Sequence, residues 1–174
     1  KTLKLTANVC SFTRITLLKK DLTQTFNSAD GATVNVTGGG RIIFEANSLM
    51  NKSTGDAYNG SVKIYSKYID PTNDIIDQIT PGCLRGVTTS NNEENIQTYG
   101  MFAVELYDAS GNALQIQKGK TAEMRFPIAG SLISSAPETM PSWSLDESIG
   151  LWREEGTLTK VGNEYAGDAS HFSF

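Results

Sequence analysis

Apolar and polar residues alternate along most of this chain with a period of two. In "TAEMRFPI" (residues 121–128), Ala122, Met124, Phe126 and Ile128 share one face, and Thr121, Glu123 and Arg125 the other. "SVKIYSKY" (61–68) sets Val62, Ile64 and Tyr68 against Lys63, Tyr65 and Lys67, and "GMFAVELYD" (100–108) aligns Phe102, Val104 and Leu106. Successive side chains of a strand point to opposite faces, so each run predicts a strand with one buried and one wet face. Weaker patterns predict strands at 12–19, 32–36, 41–45, 113–117, 143–145, 151–154, 157–161 and 170–174.

The interruptions read as turns. "DASGN" (108–112) lies between two alternating runs and predicts a hairpin loop, while "TGGGR" and "SADGA" predict glycine-bearing bends. Helical signals collect only in "DPTNDIIDQI" (70–79), where Asp70 can cap, Pro71 suits the first helical position, and Ile75, Ile76 and Ile79 make a short stripe. Many short strands and at most one short helix predict an all-β antiparallel sandwich. A seam near Lys20 divides residues 1–21, read as the end of an upstream sandwich module or as first strands, from a β-sandwich domain over 22–174.

Charge narrows the range of functions. The 174 residues carry 15 basic and 19 acidic side chains, net −4, in mixed order with no basic cluster. Nucleic acid is a poor partner for such a chain, because its binding rests on phosphate neutralisation. No run of 18 apolar residues marks a transmembrane segment. The N-terminal "KTLKLTANVC" lacks the apolar core of a signal peptide and reads as the start of a mature or excised chain. Cys10 and Cys83 either pair across a long loop or stay as two separate buried thiols. One histidine and no CxxC argue against zinc, and nothing in the pattern calls for a cofactor.

Candidate chemistry is sparse. The single histidine, His171, precedes Phe172 and Ser173, and on a strand positions 171 and 173 share a face. His171 could there assist Ser173 in attacking the Phe172 carbonyl, an N-to-O acyl shift that cuts the backbone; the plainer reading makes Phe172 and Phe174 core residues of a last strand. Asp146-Glu147 and Glu154-Glu155 offer carboxylates, but adjacent acids on a loop are ordinarily a solvated turn. Asp108 and Asn112 offer oxygens for calcium, without the 12-residue pattern of an EF-hand. Tyr58, Tyr99 and Trp152 are candidates for an exposed platform binding a sugar or peptide, whereas Trp143, in step with Leu145, reads as core.

Five stretches recur in a known order: "GGGRIIFEANSLM", "YNGSVKIYSKYIDP", "TPGCLRG", "YGMFAVELYDASGNALQIQKGKTAEMRFPI" and "PSWSLDESIGLWREEGTLTKVGNEYAGDASHFSF". From about Thr25 to Phe174 the chain resembles a module of surface and secreted proteins in Bacteroidetes-type bacteria, and a segment of cartilage intermediate layer protein. In such proteins the module follows a carboxypeptidase-regulatory-like sandwich. "GGRIIFEANSLM" is also similar to the opening of the sandwich domain of ankyrins, zonula-occludens scaffolds and netrin receptors. Some relatives of that domain self-cleave at a His-Phe-Ser motif, which matches His171, Phe172 and Ser173 here. The resemblance implies a non-enzymatic module, extracellular, on the cell surface or in the periplasm, with a structural, spacer or adhesive role. It also implies a protein or glycan partner at that surface.

Overall fold

The computed structural model describes residues 17–80 and 84–172, so Cys10, Cys83 and Ser173 lie outside the described residues. Thirteen strands follow one another within them. The first seven are β1 (Gln24–Asn27), β2 (Ala32–Asn35), β3 (Arg41–Phe44), β4 (Leu49–Asn51), β5 (Ser61–Ile69), β6 (Arg85–Val87) and β7 (Glu93–Asn95). The remaining six are β8 (Met101–Asp108), β9 (Ala113–Ile116), β10 (Ala122–Pro127), β11 (Thr139–Asp146), β12 (Leu151–Val161) and β13 (Glu164–Ala169). They form a five-stranded sheet in the order β1-β5-β8-β9-β4 and an eight-stranded sheet in the order β2-β3-β10-β13-β12-β6-β7, with β11 also paired to β12. All neighbours are antiparallel except β12 and β6. The protein is the all-β sandwich that its alternation predicts.

The wet and dry faces fall where the pattern puts them. Val62, Ile64 and Tyr68 of β5 and Val104 and Leu106 of β8 are buried, and so are Ala122 and Phe126 of β10. Across the interior runs a chain of rings, Tyr68–Phe102–Phe126–Tyr165–Tyr99, with centroids 6.1, 5.5, 6.2 and 5.7 Å apart and mostly edge-to-face. Such contacts add specificity to the area buried. Each tyrosine in the chain places its hydroxyl on a backbone carbonyl at the margin: Tyr68 on Pro127 (2.9 Å), Tyr165 on Pro137 (2.7 Å) and Tyr99 on Ser135 (3.1 Å). The aromatic core is therefore stitched to the end of β10 and to the loop before β11.

Burial holds the Tyr68 phenol up to about 12, from an ordinary 10.0, with the Asp70 charge adding to the effect. Between those two values the unfolded chain has lost the proton that the folded chain keeps. Stability is thus full below pH 10 and falls as pH rises towards 12. Denaturant midpoints measured from pH 9 to 11.5 should decline for the natural chain, and Tyr68→Phe should flatten the decline while costing about 1 kcal/mol at neutral pH for the lost hydrogen bond.

Several expectations need correction. The expected short helix is a single turn, α1 (Ile76–Ile79), but it begins beyond Asp70 and Pro71, which therefore neither cap it nor open it. Asp70 instead accepts from the Thr72 amide (2.8 Å) and hydroxyl (2.7 Å), which builds a turn rather than starting a helix. The strand expected at 12–19 lies mostly outside the described residues, and 17–20 are not in a strand. Residues 151–154 and 157–161 belong to one long strand, β12. No strand covers 170–172; the last strand is β13, which ends at Ala169.

Candidate functional site

A cleft of about 100 Å³ lies between β11, β12 and the start of β8. Met124, Met140, Trp143 and Trp152 line it, and Glu155 and His171 stand among its polar residues. A local irregularity builds this wall. Pairing passes from Ser142 opposite Gly156 to Trp143 opposite Glu154, so Glu155 is the extra residue of a β-bulge. A bulge re-aims a side chain, and here Glu155 Oε1 reaches His171 Nε2 at 2.6 Å. Trp143 leans on Gly86, where a Cβ would lie 2.4 Å from the indole, so only glycine lets the ring sit there.

The segment after β13 is held by a second device. Gln115 of β9 accepts from the Phe172 amide (2.9 Å) and donates to the Phe172 carbonyl (2.7 Å), in the manner of a neighbouring strand. The Phe172 ring packs edge-on to Phe44 at 6.0 Å. Both the amide and the carbonyl of Phe172 are thus fixed, and the carbonyl is polarised by an N–H donor. Chemically, the His171–Glu155 pair can hold or pass a proton, and Gln115 can steady charge on one carbonyl oxygen. Neither feature follows from local sequence, because the partners are 16 and 57 residues apart.

Other sequence candidates are placed differently from expectation. Tyr99 and Trp152 are buried, and Tyr58, half-buried, donates its hydroxyl to the Ser61 carbonyl (2.9 Å). The exposed aromatic platform of Tyr58, Tyr99 and Trp152 is not formed, since two of its three rings serve the interior. The two tryptophans exchange roles: Trp152 lies opposite Leu145 and is 7 % exposed, while Trp143 is only half-buried.

Asp108 closes the β8–β9 hairpin. Its carboxylate accepts from the Asn112 amide (2.8 Å) and side-chain nitrogen (2.7 Å). Those bonds, against the cost of desolvation, keep its carboxyl below the ordinary range. Both Asp108 oxygens are committed to the turn, which leaves Asp108 and Asn112 poorly disposed toward calcium.

The acidic pairs also have local work. The Ser148 hydroxyl and then Arg153 draw the Asp146 carboxyl down to about 2. Glu154 accepts from the Thr89 amide at 3.0 Å. Among the described residues, no group of three or more His, Cys, Asp or Glu could hold a metal ion. No helix among them is long and apolar enough to cross a membrane.

Comparison with known proteins places this architecture beside one set of relatives. Over 114 residues, 66% of the chain, it is 31% identical to cartilage intermediate layer protein 2 of Homo sapiens. Over 109 residues, 60% of the chain, it is 30% identical to cartilage intermediate layer protein 1 of Sus scrofa. No family model matches the chain, and no solved structure matches it. The match takes in only 10% and 17% of those two relatives' lengths, so what the chain shares is a segment: an all-β module distantly similar to part of the cartilage intermediate layer proteins.

Proposed function

We propose that this chain is a non-enzymatic extracellular or cell-surface β-sandwich module with a structural, spacer or adhesive role, facing a protein or glycan partner. The observation that carries the reading is the stretch shared with proteins named for a layer of cartilage, a tissue made largely of extracellular matrix. The aromatic interior supports it, because a sandwich filled by its own rings transmits shape and load rather than housing a substrate. The order of motifs shared with bacterial surface modules belongs to the same reading. So does the division into residues 1–21, the end of an upstream unit or the first strands, and a sandwich unit over 22–174. A membrane-impermeant amine reagent applied to intact source cells should label the lysines of this unit. Labelling that occurs only after lysis would remove the extracellular reading.

One set of contacts favours a second reading, self-cleavage at Phe172–Ser173. Glu155 orients His171, and Gln115 donates to the carbonyl that would be attacked. In that reaction the Ser173 hydroxyl adds to the Phe172 carbonyl carbon and passes its proton through His171 to the departing amine. Water then hydrolyses the ester to a Phe172 carboxylate and a free Ser173 amine. Intact masses of a longer chain with and without Ser173→Ala decide the matter. The preferred account expects both to stay whole under native conditions, and a natural chain cut where the variant is not establishes the second reading.

A further inference from the structure

The outer face of the five-stranded sheet carries a cluster unconnected with the cleft. Tyr65 of β5 and Tyr107 of β8 stand side by side, rings 5.9 Å apart and nearly perpendicular. Glu105 lies opposite Tyr65 in the register. Period-two alternation puts all three on the wet side of the sheet, and each is only half-buried. Over them lies Lys20, from the segment that leads into β1, with its ammonium 4.1 Å from the Tyr107 centroid and 4.8 Å from that of Tyr65. The ammonium pairs with Glu105 and donates to the Tyr107 hydroxyl (2.9 Å), which in turn donates to Glu105 Oε2 (2.7 Å).

We infer that Tyr65, Glu105 and Tyr107 form a binding cage for a primary alkylammonium, the head of a lysine side chain, and that Lys20 occupies it in cis and pins the leading segment to this face. Two ring faces supply negative quadrupole, the carboxylate supplies charge, and the shared hydroxyl fixes both. An exposed ion pair alone is weak, because water and salt screen it; the rings give this one a shaped receptor. Desolvation works against both charges, yet the hydrogen bonds among Lys20, Glu105 and Tyr107 outweigh it, raising the Lys20 ammonium and lowering the Glu105 carboxyl from their ordinary values. The Lys20 and Glu105 side chains remain 44% and 42% exposed, so the cage is open to solvent and an external ammonium can reach it once Lys20 is removed. The sequence places its seam at this lysine, so the cage would set the direction in which the chain reaches the sandwich.

Proton NMR on the whole chain tests this. The ε-methylene protons of Lys20 should resonate upfield of those of the other lysines, because they lie above two rings. Tyr107→Phe should keep most of that displacement, and Tyr107→Leu should lose most of it. In Lys20→Ala, added n-butylammonium should shift the ring resonances of Tyr65 and Tyr107, whereas the natural chain at the same concentration should not respond. Adding Glu105→Gln to Lys20→Ala should weaken the response. Lys20 resonances that coincide with those of the other lysines, or an unresponsive Lys20→Ala chain whose amide spectrum is otherwise native, would overturn the inference.

Discussion

Replacing Tyr165 by alanine is expected to cost about 3–5 kcal/mol, the range for emptying a buried aromatic site. Tyr165 is fully buried on β13, where its ring meets Phe126 and Tyr99 and its hydroxyl bonds the Pro137 carbonyl. Its removal breaks the ring chain near one end and frees the loop before β11. In a domain of this size, a loss of that order lowers the melting temperature by roughly 6–20 °C. Tyr165→Phe separates the causes: it keeps the ring and should cost only about 1 kcal/mol, the worth of the hydrogen bond. Calorimetric melts of the three chains check both numbers, and an alanine variant as stable as the phenylalanine one would show the ring to be dispensable.

The second large effect is expected at Gly40, in the bend between β2 and β3. Its φ is 79°, and the Val36 amide donates to its carbonyl at 3.0 Å to close the bend. A Cβ there would lie 2.5 Å from the Arg125 carbonyl oxygen and 2.7 Å from the Phe102 ring. The left-handed backbone alone costs an alanine about 1–2 kcal/mol. The oxygen belongs to β10, paired on both sides, and cannot easily retreat. Gly40→Ala should therefore lose about 3 kcal/mol in urea unfolding. Gly111, also at positive φ but with open space around it, serves as the control and should lose only the conformational part.

Long alternating runs made β5, β8 and β10 legible, faces included, because eight or so residues repeat the period several times. The short strands β1, β4, β6 and β7 were missed, whereas β2, β3 and β9, no longer than β1, were read from apolar residues flanked by turn signals. β13 was not read from the sequence; Gly167 within it passes so near Leu158 that a Cβ would lie 2.6 Å from that side chain. Trp143, Leu145 and Trp152 share one face of the β11–β12 pair, and which of the two tryptophans is covered more fully depends on packing that residue types do not show. Proximity across the fold was equally illegible: Gln115 with Phe172, Glu155 with His171, and Lys20 with Tyr107 meet only once the sheets have formed. His171 stands out in the sequence as the only histidine, but its contact with Glu155 comes only from the fold.

Together these features describe a body whose aromatic interior is committed to its own stability. The ring chain explains why the sheets hold, the glycines explain where the backbone bends, and the Gln115 clamp explains how the last described residues are held to β9. The most direct test is to recover the natural protein from source cells exposed to an impermeant amine label, then weigh the intact chain. The account predicts label on this unit and an unbroken Phe172–Ser173 bond. A chain that escapes the label until lysis, or arrives cut after Phe172, would contradict it.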